Sequence, residues 1–128
     1  MKTTIASFLL LICLAGCDPT FFGKTVINNE TDVLLNVIYQ TENKDSSLII
    51  EPNSYTEIYH IGGLGSGKDY DCCNCEFLSI TLKPTDTSKH LIKDISLSDN
   101  WNMTNENHHR FSSHEITCEF IVRPSDIQ

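Results

Sequence analysis

The chain counts 128 residues, 40% of them hydrophobic, with 9 lysines and arginines against 17 aspartates and glutamates and a formal net charge of −8. That length builds one hydrophobic core and excludes two ordinary domains. A chain this acidic, with no basic run, excludes a nucleic-acid binder that tracks phosphates, because its own field repels the polyanion.

Residues 1–16 have the order of a secretory signal. Lys2 supplies the positive charge, Ile5, Phe8, Leu9, Leu10, Leu11, Ile12 and Leu14 the apolar run, and Ala15 and Gly16 the small residues before a cut. The run is shorter than the ~20 residues of a membrane-spanning helix. It closes on Leu14-Ala15-Gly16-Cys17, which resembles the lipobox of bacterial lipoproteins. The resemblance implies export, cleavage before Cys17 and acylation of Cys17, so that a membrane is the first partner, through a lipid anchor. Two or more acyl chains hold a protein stably, where one holds it only reversibly. Asp18 resembles the inner-membrane retention signal of enteric bacteria, a rule other phyla do not follow. Ile27-Asn28-Asn29-Glu30-Thr31 and Asn100-Trp101 resemble the style of small lipoproteins of Bacteroidota. The expected address is a lipid anchor in the cell envelope, the outer membrane ahead of the inner.

Loss of residues 1–16 removes one basic residue and leaves 112 residues with 8 basic and 17 acidic side chains. Residues 17–24, with Asp18-Pro19 and Gly23, read as a tether, and residues 25–128 as a single β domain. Thr25-Val26-Ile27 and residues 33–39 flank an Asn-rich turn and predict a hairpin. Residues 48–50 form a short strand stopped by Pro52-Asn53, and residues 55–61 a second, rich in aromatic and β-branched side chains. Residues 62–68, with four glycines in seven positions, predict a flexible loop. Residues 77–82 alternate apolar and hydroxyl side chains, as a half-buried strand does. A turn over residues 84–89 leads to a weaker strand at 91–97, and residues 98–112 are polar. In residues 114–122, His114, Ile116, Cys118, Phe120 and Val122 share one face, which points Cys118 inward. About seven short strands separated by turn signals predict an all-β fold, a small antiparallel β-sandwich stapled by disulfides.

The domain carries Cys72, Cys73, Cys75 and Cys118. An even number in an oxidising compartment predicts two disulfides. Of the three pairings, one strains a ring between the adjacent Cys72 and Cys73, and Cys73 to Cys75 is nearly as tight. Cys72–Cys75 with Cys73–Cys118 is then the least strained pairing, and the broader expectation is one long bridge from any of Cys72, Cys73 or Cys75 to Cys118, closing a loop worth at most about 4 kcal/mol in the chain-entropy model.

Sharper chemistry is weighed and set aside. C-x-x-C over residues 72–75 suits redox work only at a helix N-terminus, and a β pattern follows it. The cysteines with His108, His109 or His114 match a Cys₃His zinc site poorly, for lack of a second paired motif. Gly62-Gly63-Leu64-Gly65-Ser66-Gly67-Lys68 fits a phosphate-cradling loop until Asp69, where a hydroxyl should hold magnesium. There is no G-x-S-x-G nucleophile elbow. Trp101 reads as a core plug. No catalytic residue, metal or cofactor is expected. The expected function is non-catalytic: binding or scaffolding of an envelope protein or ligand, without nucleic acid. A small metal, redox or hydrolytic enzyme, or an inhibitor presenting the glycine loop, is the alternative. Mass mapping of unreduced peptides is expected to find Cys72, Cys73, Cys75 and Cys118 all paired, and four free thiols would refute the disulfide framework.

Overall fold

Ile116, Cys118, Phe120 and Val122 are fully buried at a period of two, and Thr25, Val26 and Ile27 are fully buried in succession across a register shift, which places both strands at the centre of a sheet. A computed structural model of the chain describes residues 20–108 and 113–128, with the side chains at 108 and 113 left aside. These residues form β1 (Thr20–Asn29), β2 (Leu35–Gln40), β3 (Asp45–Ile50), β4 (Ser54–Leu64), β5 (Ser79–Pro84), β6 (Asn102–His108) and β7 (Ser113–Val122). Short 3₁₀ turns lie at Ser98–Asn100 and Pro124–Asp126. One sheet has the order β4-β1-β7-β6 and the other β3-β2-β5. The fold is the all-β sandwich the alternation predicts, with one parallel pair, β1 with β7, among antiparallel neighbours.

The core fills the space between the sheets. Ile27, Ile116, Cys118 and Phe120 come from the larger sheet, and Leu35, Val37, Tyr39, Ile80 and Leu82 from the smaller. Each such aliphatic or aromatic side chain contributes about 1.5–3 kcal/mol when taken out of water. The Tyr39 hydroxyl donates to the Ile58 carbonyl at 2.7 Å and so ties the two sheets directly. Tyr39, Tyr59 and Phe77 meet edge to face, with ring centroids 5.3 to 6.4 Å apart.

The hairpin expected around the Asn-rich turn does not form. β1 and β2 belong to different sheets, and residues 30–34 cross between them. The fully buried Asn29 organises the crossing. Its amide donates to the Val33 carbonyl at 2.8 Å and to the Glu51 carbonyl at 3.0 Å. Its carbonyl oxygen accepts from the Thr31 hydroxyl at 2.7 Å and from the Thr31 backbone N–H at 3.2 Å. The second crossing, from β3 to β4, packs on the first: Asn53, at φ 50°, donates its backbone N–H to the Thr31 carbonyl at 3.0 Å. Asparagine tolerates that left-handed conformation better than most residues.

Other segments depart from the sequence reading for local reasons. β1 begins at Thr20, inside the segment expected as a tether. β4 runs to Leu64 and takes Gly62 and Gly63 out of the expected loop. Residues 91–97 are not a strand: only Leu91 makes a bridge, to Ile127. The Asp94 carboxylate accepts from the Ser96 N–H at 2.8 Å and the Ser96 hydroxyl at 2.7 Å, and that side-chain turn competes with extended pairing. The polar residues 102–108 instead supply β6, an edge strand with Met103 exposed.

Replacing Asn29 by alanine leaves two carbonyls and an N–H unsatisfied in a buried corner. Asn29→Ala is expected to cost about 3 kcal/mol in denaturant unfolding, and Asn29→Asp no less, since a carboxylate cannot donate. Asn28→Ala, at a half-buried neighbour, is expected to stay within about 1 kcal/mol.

Candidate functional site

A concavity of ≈ 500 Å³ opens where β5 ends. Asn36, Lys83, Thr85, Thr87, Lys89 and His90 supply its polar lining, over Leu82, Pro84 and Leu91. Every ionisable side chain in that lining is basic, in a chain of net charge −8.

Local bonding fixes its walls. Lys83 stands on β5 paired with Asn36 of β2. Thr85 donates its N–H to the Leu34 carbonyl at 2.9 Å. The Asp86 carboxylate accepts from the Ser88 hydroxyl at 2.7 Å and the Ser88 N–H at 2.9 Å. Those donors, with a smaller contribution from Lys89, hold the Asp86 carboxyl below its ordinary range. His90 exchanges two backbone hydrogen bonds with Gln128, and Ile92 donates to the Asp126 carbonyl at 2.9 Å. Among the described residues, the side chains of Lys83 and His90 make no hydrogen bond or ion pair. Lysine ammonium groups act as mobile point charges, and hydroxyl and amide donors beside them suit a carboxylate or phosphate. By contrast, Lys93 is engaged: it donates to the Ile121 carbonyl at 2.8 Å and lies 4.7 Å from the Phe120 ring centroid. Burial lowers its pKa.

The cleft is not legible in the sequence, where residues 84–89 read as a turn. Lys83, Lys89 and His90 within eight positions of an acidic chain were the available signal.

Cys17 lies outside the described residues. The other four cysteines pair as Cys72–Cys75 and Cys73–Cys118, with Cα atoms 5.6 and 5.4 Å apart. Cys73 and Cys118 are buried, whereas Cys75 is exposed. Both bridges together occupy every thiol a Cys₃His site would need. Residues 72–75 form bends and turns, with no helix to lower a thiol pKa.

The glycine-rich segment and the last histidine do converge. A Cβ on Gly63 would stand 2.7 Å from the Phe21 ring, and one on Gly67, at φ +71°, 2.5 Å from the Phe21 Cβ. These glycines exist to let backbone wrap Phe21, whose ring also meets Tyr70 at 5.8 Å. The Gly67 carbonyl accepts from the Asn105 amide at 3.1 Å, and the Asn105 carbonyl oxygen pairs with His114 Nδ1. Residues 69–78, which follow Lys68, are turns, bends and irregular chain, so no helix N-terminus stands behind the glycines to cradle a phosphate. His108 belongs to β6, and His109 lies outside the described residues. Trp101 is buried, donates from Nε1 to the Ile95 carbonyl at 2.8 Å and packs on Phe120.

Compared with family models, curated proteins and solved structures, the chain matches none.

The Tyr70 hydroxyl is buried without a hydrogen-bond partner among the described residues. Burial first, then the charges of Glu76 and Tyr59, push its pKa up to about 12 from 10.0. A raised folded-state value means this contribution to stability is intact below pH 10 and is lost as pH climbs from about 10 to about 12. Tyr70→Phe is therefore expected to match or exceed the parent melting temperature at neutral pH and to soften its fall over that alkaline window. Thermal melts from pH 8 to about pH 12 check this.

Proposed function

We propose that the chain is an exported lipoprotein, held to a cell-envelope membrane by acyl chains on Cys17. Its β domain is a non-catalytic module that binds a small organic anion carrying carboxylate or phosphate groups, alone or as part of an envelope partner. Three features support the reading. Leu14-Ala15-Gly16-Cys17 follows a short apolar run, as a lipobox does. The two disulfides fit an oxidising compartment outside the cytosol. The observation that carries the binding role is the ≈ 500 Å³ cleft with Lys83, Lys89 and His90 as its only ionisable lining.

Position strengthens that choice. β5 carries its Pro84 end beside Leu35, where β2 starts, and the Asn29 corner lies at this same end. The cleft therefore opens at the end of the sandwich opposite to Thr20, where β1 leaves Cys17. A tethered module with its cationic cleft turned away from the membrane can meet a ligand in the aqueous phase. The glycine-rich segment is a poorer presenting loop, since Gly63 and Gly67 close on Phe21. The outer membrane is the preferred address.

Two measurements test the parts separately. Labelled palmitate is expected to enter the parent protein and to be absent from Cys17→Ser. Citrate titrated into the protein at low salt is expected to shift the amide resonances of residues 85–91 saturably. Lys83→Ala with Lys89→Ala, both at cleft positions, is expected to weaken that binding by about tenfold at an unchanged melting temperature. Citrate shifts that survive the double substitution undiminished would overturn the cleft as the binding site.

A further inference from the structure

β1 and β4 pair so that Thr20 faces Leu64 and Phe22 faces Gly62. The start of β1 and the end of β4 thus share one end of the larger sheet. Leu64 is 81% exposed there, the most exposed large apolar side chain among the described residues, and Phe22 is 54% exposed nearby. The covalent chain limits how far this end can stand from Cys17. Thr20 follows Cys17 by three residues, and three fully extended residues reach at most about 11 Å.

We infer that this end of the domain rests on the bilayer, with Leu64 entering the lipid interface as a second, non-covalent contact. The inference rests on acylation of Cys17. Once the acyl chains fix Cys17 at the headgroup level, a tether this short cannot hold Leu64 clear of the interface in most orientations. Immersing an exposed leucine then selects the orientation that buries it. The surface it fits has zwitterionic headgroups. In the segments of this same end Glu42, Asp45, Asp69, Asp71 and Glu76 outnumber Lys44 and Lys68, and an anionic leaflet would repel the net negative charge. The opposite end of β4 provides an internal reference. Tyr55, 54% exposed, pairs with Asn28, and eight intervening strand residues put it about 30 Å from Leu64.

The experiment uses the acylated full chain in vesicles of phosphatidylcholine brominated on the acyl chains. Leu64→Trp and Tyr55→Trp are compared, with the buried Trp101 kept as a common background. Both positions are exposed, so both variants are expected to melt with the parent. Leu64→Trp is expected to add emission that shifts blue and loses roughly half its intensity to bromine, while Tyr55→Trp adds emission that bromine does not touch. Adding anionic phosphatidylglycerol is expected to reduce the quenching at Leu64→Trp. Protein that sediments with the vesicles while both variants remain equally unquenched overturns the inference and leaves the anchor intact. Protein that neither sediments nor carries labelled fatty acid overturns the anchor, and the inference falls with it.

Discussion

A single buried amide decides that this chain forms two facing sheets. Asn29 spends both of its N–H donors and its oxygen on the chain it must redirect. Through Glu51 it reaches the second crossing, and Asn53 returns a bond to Thr31. The two crossings therefore hold each other, and β2 cannot fold back onto β1 without abandoning four satisfied polar contacts. Inside a low-dielectric corner such contacts are costly to break singly, so the corner behaves as a unit. Everything downstream inherits its direction: β2 starts where β1 ends, β5 ends beside β2, and the cationic cleft opens there.

The other end of the sandwich is ordered by different means. Residues 65–78 contain no strand, and two anchors compensate. Phe21 is wrapped by glycine backbone, and Cys73 is bridged to Cys118 on the central strand β7. The bridge spans 45 positions, so it removes a large share of the unfolded chain's freedom, about 4 kcal/mol in the entropic account. The Cys72–Cys75 bridge spans 3 positions and constrains far less, roughly 1.6 kcal/mol by the same reckoning. Its role is to tighten a turn whose neighbour Asn74 donates to the Ser96 carbonyl at 2.6 Å.

What was legible in the sequence followed from side-chain periodicity and cysteine geometry. Residues 114–122 alternate so regularly that both the strand and the inward Cys118 could be read directly, and strain between adjacent cysteines picked out the pairing that forms. The Asn28–Asn29 turn misled, because asparagines serve hairpins and sheet crossings alike. Only long-range partners such as Glu51 distinguish the two. Residues 91–97 carry a strand composition, but Asp94 captures Ser96 locally. β6 was invisible for the converse reason: an edge strand overhanging the core needs no apolar face. The cleft was missed because its residues come together only when β5, the turn after it and residues 126–128 are in place.

A cationic cleft on an acidic domain also limits what can occupy it. At physiological ionic strength fields fade over about 8 Å, so a small anion inside the cleft feels Lys83, Lys89 and His90 more strongly than carboxylates elsewhere on the domain, and Asp86, within electrostatic reach of Lys89, offsets only part of that field. An extended polyanion would run out of the cleft onto a surface where acidic residues outnumber basic ones 17 to 9 across the chain, and would meet repulsion. The same charge balance that excludes a nucleic acid thus favours a compact anion. The selectivity comes from how little of the surface is positive, and not from any single contact.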